Sequence, residues 1–266
     1  MRPLIIAAVM TEQHHLKLLT YNIQVGIETS RYRHYLTRAW RYALPFRSRR
    51  ENLNRIAQIL APYDLVALQE TDAGSLRSNY VDQVAYLADQ ADFPFWHTRI
   101  NRRLGPWAQH SMGLLSRYRP TEVREVSLPS RIPGRGALIA RFGEEADGLL
   151  VVVAHLSLDR RTQAHQLAFL GSLIGDQTHA ILMGDLNCSW DAIRAHGALA
   201  GLRGAPHPLP SYPSWRPTRS LDHILVTPSL DIQHTQVVSH VTSDHLPLAM
   251  HVSLPRNLRL ADDPAV

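Results

Sequence analysis

Eight polar residues of types that bind cations, activate water or hold anions lie beside short apolar segments of the sequence. They are Asn22, Glu70, His155, Asp185, Asn187, Asp222, Asp244 and His245. Carboxylate and amide oxygens are the ligands that a hard divalent cation prefers. A carboxylate or an imidazole can deprotonate water, and neutral or cationic donors stabilise negative charge as it develops. Metal-assisted hydrolysis of a phosphate ester requires these groups together.

Taken one at a time, these residues have simpler explanations. Glu70 is equally well a solvated loop acid, and Asp185 with Asn187 can form a turn capped by its own side chains. An acid next to an imidazole, as in Asp244 and His245, is usual in surface turns. The prediction of a shared site therefore depends on the whole set of residues and on their positions relative to the apolar runs.

The elements that must position these residues are short apolar runs, many rich in β-branched side chains and bounded by turn formers. They span residues 16–23, 64–68, 111–115, 137–142, 149–154, 180–183, 224–226 and 248–252. Residues 51–60 and 162–173 have helical periodicity instead. Strands that are interspersed with helices in this way predict an α/β protein.

The candidate residues stand at particular ends of these runs. Four of them, Asn22, Glu70, His155 and Asp185, come at or just after the end of a run. Asp222, Asp244 and His245 instead come just before one. If all share one site, the strands that follow Asp222 and His245 must run opposite to the others. We therefore predict a mixed sheet with the site along one edge, in a solvent-facing cleft.

Six short motifs occur in order along the chain. They are Leu19-Thr20-Tyr21-Asn22, Leu68-Gln69-Glu70, Ala154-His155-Leu156, Gly184-Asp185-Leu186-Asn187, Leu221-Asp222-His223-Ile224-Leu225-Val226 and Ser243-Asp244-His245-Leu246-Pro247. Together they resemble the endonuclease/exonuclease/phosphatase superfamily, which includes pancreatic-type DNases, apurinic-site endonucleases, neutral sphingomyelinases and inositol polyphosphate 5-phosphatases. The resemblance covers residues 16–252. It implies the DNase I-like fold, a four-layer α/β sandwich in which two mixed β-sheets are flanked by helices.

The resemblance also implies a metal site. Glu70 is implied to bind Mg²⁺ or Mn²⁺, with Asn22 beside it, and Asp244 is implied to complete the metal region. Mg²⁺ or Mn²⁺ is thus the expected cofactor.

Catalytic roles follow from the same resemblance. Asp185 is implied to orient or activate the attacking water, while Asn187 and His155 hold or donate to phosphate oxygens. His245 is implied to act on the phosphate or as an acid or base, and Asp222 to orient its ring through a carboxylate–imidazole hydrogen bond.

The chain departs from several branches of the family. Met112 and Gly113 replace the Asn-Ala pair that usually precedes Leu-Leu-Ser-Arg, and Asp72 stands where apurinic-site endonucleases carry a lysine. These departures weigh against repair of abasic DNA and leave the substrate open. Arg135, at the entry of the family's arginine-containing strand, either faces the substrate or lies on the surface.

Residues 31–50 (RYRHYLTRAWRYALPFRSRR) contain seven arginines and no acid. Aromatic and apolar residues recur there at helical spacing, with arginines beside them. We weigh three interpretations: a helix packed on the domain, a helix lying on an anionic lipid surface, and a clamp on a nucleic-acid backbone. In the last two, Arg31, Arg33 and Trp40 are candidate substrate-binding residues.

Composition limits the class of protein. Hydrophobic residues make up 45% and charged residues 19%, which is typical of a globular protein with a substantial core, and the net charge of +5 favours an anionic partner. The single cysteine, Cys188, excludes a disulfide within this sequence. No apolar run approaches the roughly 20 residues that span a bilayer. We predict an extension at residues 1–15, one domain at 16–253 and a tail at 254–266, in a cytoplasmic protein that is either free or peripheral to a membrane.

The leading hypothesis is a Mg²⁺-dependent phosphoesterase that uses metal-assisted attack of water on phosphorus. Its expected substrate is a phosphodiester or phosphomonoester, such as a phospholipid headgroup or a small phosphorylated metabolite. One alternative is an endonuclease or exonuclease acting on DNA or RNA, which the basic charge favours. Another is a non-catalytic module that binds membranes or nucleic acid, which the presence of all eight site residues disfavours.

Overall fold

The apolar runs form eight of the eleven strands in the described parts of two β-sheets. The computed structural model describes residues 14–27, 47–131, 134–143 and 147–261. Its strands are β1 (His15–Asn22), β2 (Leu65–Asp72), β3 (Phe95–Leu104), β4 (Ala108–Ser116), β5 (Glu122–Ser127), β6 (Gly136–Phe142), β7 (Leu149–His155), β8 (His179–Asp185), β9 (Asp222–Val226), β10 (Asp231–Val237) and β11 (Leu248–Ser253). Its α-helices are α1 (Arg47–Leu60), α2 (Gln83–Gln90), α3 (Arg160–Ile174) and α4 (Trp190–Ala195). Short 3₁₀ turns occupy Gln24–Gly26, Leu76–Ser78 and Gly197–Leu199.

Each sheet is mixed. The first has the order β10-β11-β1-β2-β4-β3, in which β1 and β2 run parallel and the other neighbours antiparallel. The second has the order β5-β6-β7-β8-β9, in which β7 and β8 are the parallel pair. The strands that follow Asp222 and His245, β9 and β11, run opposite to β8 and β1. The predicted direction of these two strands is confirmed.

Three apolar clusters explain how the layers stack. The largest lies between the sheets and is built from alternate residues of their strands, such as Leu16, Val151 and Ile181. A second cluster packs α1 and α2 on the outer face of the first sheet, and a third packs α3 and α4 on the outer face of the second. The order helix, sheet, sheet, helix is the predicted four-layer sandwich, so the predicted fold class is confirmed.

Three strands are absent from the sequence prediction, and all three lie at sheet edges. These are β3 and β10 in the first sheet and β5 in the second. In β5 and β10 exposed residues alternate with partly exposed ones, and β3 has a single fully buried position. These three strands lack the continuous apolar run that is the signal used to predict the other strands, whereas β9, also at an edge, is buried throughout and was predicted from its run.

Gly113, in β4, has a steric role that accounts for one departure from the family pattern. A Cβ atom at this position would lie 2.5 Å from both methyl carbons of Val84 in α2. Real Cβ atoms do not approach other atoms so closely. The glycine therefore lets α2 pack directly against the sheet.

Some predicted residues and boundaries lie at or beyond the ends of the described residues. Arg31, Arg33 and Trp40 lie outside the described residues. The division into residues 1–15, 16–253 and 254–266 stays a prediction, although Leu254 and Leu258, after β11, are buried in the cluster between the sheets. No helix in the described part of the chain is long and apolar enough to cross a membrane.

A buried ion pair fixes the loop that follows β2. Asp72 accepts hydrogen bonds from the Nε of Arg77 and from the hydroxyls of Ser75 and Ser78, and its own side chain is fully buried. Burial alone would raise the pKa of Asp72, but the donors from Arg77 and the serines outweigh it and hold the pKa below its usual value. The carboxylate is therefore charged and depends on Arg77 for compensation.

Replacement of Arg77 by methionine is expected to lower the free energy of unfolding by about 3 kcal/mol or more, because it leaves a buried carboxylate without its cation. Urea denaturation followed by circular dichroism measures this. Arg103→Met, at an exposed position of β3, is the control and is expected to change stability by less than about 0.5 kcal/mol. Equal stability of the two variants would contradict the structural role of the ion pair.

Candidate active site

The candidate residues converge at one edge of the two sheets. Strand register puts His155, Asp185 and Asp222 side by side at the ends of β7, β8 and β9. Asn22 ends β1 in the other sheet, and its side-chain nitrogen donates to Oδ2 of Asp185 over 3.0 Å. A direct hydrogen bond between two candidate residues thus joins the two sheets.

The loop before β11 brings the last two candidates to the same edge. The hydroxyl of Ser243 donates to the backbone oxygen of Asn22 over 2.8 Å, although 221 positions separate these residues in the sequence. Asp244 and His245 follow directly, and the backbone oxygen of Asp244 accepts from the amide of Ser214 over 2.7 Å. The loop is therefore fixed from both sides.

Two candidates owe their orientation to unusual backbone. Glu70 has φ of 52° and lies where the pairing of β2 with β4 shifts register, between Leu68 and Thr71. Asn187 has φ of 51°. Non-glycine residues rarely adopt the left-handed region, and a bulge of this kind turns a side chain away from the regular alternation of a strand. The local irregularity points Glu70, which is half-buried, into the cleft at the sheet edge.

Gly184 permits the close pairing of β7 and β8 next to Asp185. It has φ of 150° and pairs with Ala154. A Cβ atom at position 184 would lie 1.8 Å from the backbone oxygen of Ala154. Because that oxygen is part of the backbone, no side-chain rotation could relieve the overlap, so the position requires glycine.

Asp185 lies at the centre of the cluster. Its Oδ2 accepts from Asn22 and its Oδ1 accepts from the backbone amide of Asn187, each over 3.0 Å. The Nε2 atoms of His155 and His245 lie 3.6 Å and 3.9 Å from Oδ2. One carboxylate thus contacts two amides and faces two imidazoles.

The cluster is buried, which corrects the expectation of a solvent-facing position. Asp185 is 1% exposed and His245 5% exposed. Burial raises the pKa of Asp185 to about 7, with His245 opposing the shift and Asp222 and Glu70 adding to it. Burial likewise raises the pKa of Asp244 to about 6, and the charge of Glu70 contributes to that shift. The site holds carboxyl groups that take up protons near neutral pH.

His245 is held as a cation by its neighbours. Its Nδ1 lies 2.8 Å from Oδ2 of Asp222, and the ring of Tyr212 packs against it with centroids 4.8 Å apart. Burial lowers the pKa of His245, but the charges of Asp222 and Asp185 outweigh burial and raise the pKa to about 10. The predicted carboxylate–imidazole hydrogen bond between Asp222 and His245 is present in this geometry.

His155 has the opposite charge state. Burial and the adjacent guanidinium of Arg135 lower its pKa well below the usual value. Nη1 of Arg135 lies 2.8 Å from Nδ1 and 2.9 Å from Nε2 of His155, so the guanidinium lies against the ring. Because His155 is neutral, its approach to Asp185 is a polar contact and not an ion pair. Arg135, which sequence left open, is half-buried and lies at the site.

The donor atoms present suit a hard divalent cation. Asp185, Asp222 and His245 bring two carboxylates and a ring nitrogen within 4.8 Å of one another, but the protonated ring of His245 has no free lone pair for a metal, so the oxygens are the available ligand atoms. Oδ1 of Asp222 is buried and has no hydrogen-bond partner among the described residues. Burial, and to a lesser extent the charges of neighbouring carboxylates, raises the pKa values of Asp185 and Asp244, and a cation would offset that repulsion. The side-chain oxygen of Asn22 accepts a hydrogen bond from the backbone amide of Gln24 over 3.2 Å.

A cleft of about 1050 Å³ opens beside the cluster and contains residues that the motifs do not include. Glu70, Arg135 and His155 line one part of it. The residues not predicted are Arg102, Arg131, Arg161, His110 and His165. They come from three separate segments of the chain, and the sequence has one lysine and 27 arginines among its 28 basic residues. In such a background no single arginine stands out without the fold.

Comparison of the sequence with known families decides the family. A profile of the Endonuclease/Exonuclease/phosphatase family matches residues 19–245, a range that contains all eight candidate residues. The chain belongs to this family. The resemblance drawn from the six motifs is confirmed, and members of the family are generally hydrolases that act on phosphoester bonds. No curated protein matches the chain at a significant level.

Several solved structures share the family fold. An endonuclease/exonuclease/phosphatase from Beutenbergia cavernae DSM 12333 is 21% identical with a TM-score of 0.68, over 91% of this chain and 72% of the other. A mannosyl-6-phosphatase from Bacteroides thetaiotaomicron is 15% identical with a TM-score of 0.63, over 90% and 100%. D. rerio TDP2 complexed with single-strand DNA product is 17% identical with a TM-score of 0.63, over 90% and 99%. At these identities the likeness shows the fold alone.

Gly184→Ala is expected to lower the free energy of unfolding by about 3 kcal/mol or more, because its Cβ would overlap the backbone of β7. Thermal and urea denaturation measure the loss. The matched control is Gly201→Ala, where a Cβ atom would meet nothing within 4 Å. Native-like stability of the Gly184 variant would show that β7 and β8 do not approach as closely as described.

Proposed function

We propose that the chain is a metal-dependent phosphoesterase, which hydrolyses a phosphodiester or phosphomonoester by attack of water on phosphorus. One observation carries the proposal. The carboxylate of Asp185 contacts Asn22 and faces His245, whose ring is bound from behind by Asp222. A base, a cationic donor and an orienting carboxylate thus lie together beside a cleft with an arginine at its inner end.

Asp185 is suited to accept a proton from the attacking water. Its hydrogen bonds from Asn22 and Asn187 fix the orientation of both carboxylate oxygens and still leave each a free lone pair. Burial brings its pKa to about 7. A base acts best when its pKa is close to the working pH, so this environment favours proton transfer near neutrality.

His245 is suited to stabilise the charge that develops on the phosphate or its leaving group. Asp222 binds Nδ1, which leaves Nε2 directed toward Asp185. The raised pKa keeps the ring protonated, so Nε2 carries a hydrogen that it can donate. Charge-assisted donors of this kind, held in place before the reaction, are an effective source of transition-state stabilisation.

Arg135 and the remaining polar residues complete the binding of the phosphate. The guanidinium of Arg135 is cationic and lies against the neutral ring of His155 at the inner end of the cleft. We assign phosphate binding to Arg135 and His155, and to Asn187, whose side-chain nitrogen donates to the backbone oxygen of Leu156 over 3.1 Å in this structure.

Glu70, Asn22 and Asp244 are the residues proposed to hold Mg²⁺ or Mn²⁺. Two carboxylates and an amide are oxygen donors of the kind these ions bind. The charges of Glu70 and Asp244 already act on each other, as the raised pKa of Asp244 indicates. When bound, the ion supplies positive charge to the phosphate oxygens.

The proposed substrate is specified only as a phosphate ester. Phospholipid headgroups and small phosphorylated metabolites are retained, and a nuclease acting on DNA or RNA is the second candidate because the cleft is rich in arginine. A non-catalytic binding module is disfavoured, since binding alone does not require Asp185, His245 and Asp222 to be aligned. Location in the cytoplasm or at a membrane surface, with residues 31–50 in contact with lipid or nucleic acid, is likewise proposed.

The proposal is tested by hydrolysis of bis-(4-nitrophenyl) phosphate and 4-nitrophenyl phosphate with Mg²⁺, Mn²⁺ or EDTA. We expect activity with either metal and none in EDTA. Asp185→Asn is expected to reduce kcat by a factor of about 100 to 10,000, because it removes the proton acceptor without changing its shape, and His245→Ala to reduce it similarly.

The matched control is Asp231→Asn, which makes the same chemical change at an exposed position of β10 and is expected to retain full activity. Circular dichroism and thermal denaturation establish that the variants are folded. Full activity in Asp185→Asn, or equal activity in EDTA, would refute the proposed mechanism. Inactivity of the native protein on these esters, on DNA and on phospholipids would favour the binding module.

A further inference from the structure

Three arginines that take no part in the proposed chemistry converge on the cleft. Arg102 comes from β3, Arg131 from the loop after β5, and Arg161 from the first turn of α3. All three are exposed, and within the described residues none has a carboxylate at ion-pair distance. The charge of Asp159 acts on Arg161 and Arg131 without forming an ion pair, so all three guanidinium groups can still bind a ligand.

The walls that carry these arginines are in contact with each other. A Cβ atom at Gly134, which also lines the cleft, would lie 3.2 Å from the Cβ of Arg102. The first sheet and the loop that precedes β6 thus meet at this point. Arg102 thus lies beside Gly134, which follows Arg131 by three positions in the sequence, and Arg161 lines the same cleft from the start of α3.

The charge of the cleft is not balanced by its acids. Four arginines line it, the three above and Arg135, against the two carboxylates of Glu70 and Asp159. Glu70 belongs to the candidate metal site. Asp159 caps α3, where its carboxylate accepts from the backbone amide and the hydroxyl of Thr162 over 2.9 Å and 2.8 Å. Like charges in a concave surface repel one another, and an anionic ligand relieves that repulsion.

The volume of the cleft exceeds what one phosphate needs. Ligand clefts commonly have volumes of about 300–1,000 Å³, and this one has about 1050 Å³. The proposed reaction uses one part of it, near Glu70, Arg135 and His155. The three arginines line the same cleft, and their guanidinium groups match phosphate oxygens in a bidentate manner.

We propose that Arg102, Arg131 and Arg161 form a second anion site, which binds another phosphate group of the same substrate. This rests on the proposed function, because it takes the first phosphate to be the one that is hydrolysed. The substrate is accordingly a molecule with at least two phosphates. A short nucleic-acid strand and a small polyphosphorylated molecule share that chemistry.

The test compares two nucleotides that differ by one phosphate. Thymidine 5′-monophosphate and thymidine 3′,5′-bisphosphate are titrated by calorimetry into the full-length Asp185→Asn protein with Mg²⁺. We expect the bisphosphate to bind about tenfold more tightly or better, as one added charge-assisted contact predicts. In Arg102→Gln/Arg161→Gln on the same background, the ratio of the two dissociation constants is expected to fall to about one.

The ratio of the two dissociation constants is the readout because loss of folding would weaken the binding of both nucleotides alike. Arg194→Gln, at an exposed position of α4 outside the cleft, is the control and is expected to keep the ratio. Equal affinities for the two nucleotides in the Asp185→Asn protein would overturn the proposal, as would a ratio that survives in the double variant. Neither result bears on hydrolysis of the nitrophenyl esters, so failure of the second site and failure of the proposed function are distinguishable.

Tetrathymidylate, a strand with three internucleotide phosphates, distinguishes the sources of the second phosphate. Tighter binding of tetrathymidylate than of the bisphosphate supports the second site and assigns a nucleic-acid strand. Equal or weaker binding, together with the expected preference for the bisphosphate, supports the second site and assigns a small polyphosphorylated molecule.

Discussion

The main physical constraint on this structure is that several buried carboxylates lie close together at one edge of the two sheets. Asp185, Asp222 and Asp244 are each less than 10% exposed, and burial raises the pKa of Asp185 and of Asp244. His245 offsets part of this effect, since it carries a positive charge between Asp222 and Asp185. Most of the surrounding architecture, including the bond between the sheets and the glycine beside Asp185, serves to hold these groups at their distances.

The two histidines of the site show how different surroundings give identical side chains different charge states. His245 faces carboxylates and stays charged, whereas His155 lies against Arg135 and stays neutral. The imidazole with a charge can stabilise an anion. The neutral one can support Arg135 without adding repulsion to the inner end of the cleft. Two different functions thus arise from contacts with Asp222 and Arg135, and not from the residue type.

Local signals in the sequence predicted eight of the eleven described strands and brought forward the eight candidate residues, whose roles stay a prediction. Buried strands such as β7 read as continuous apolar runs, and Asp185 belongs to a short motif in its expected order. The edge strand β5 leaves a weaker signal, since exposed residues alternate with partly exposed ones along it. Arg102 and Arg161 left none, because their significance comes from a cleft that only the assembled fold creates. Burial of the site was mispredicted for the same reason.

One contact made by the first strand determines when the candidate site is completed during protein synthesis. β1 lies in the middle of its sheet between β2 and β11, and Asn22 is bound by Ser243 from the loop that precedes β11. A chain still emerging from the ribosome lacks β11, so the backbone hydrogen-bonding groups along one edge of β1 are unpaired and His245 has not yet been made. Pairing of that edge and completion of the set of candidate residues therefore occur in one event. Premature termination anywhere before residue 245 prevents both, so a truncated product has neither a paired β1 edge nor the complete candidate site.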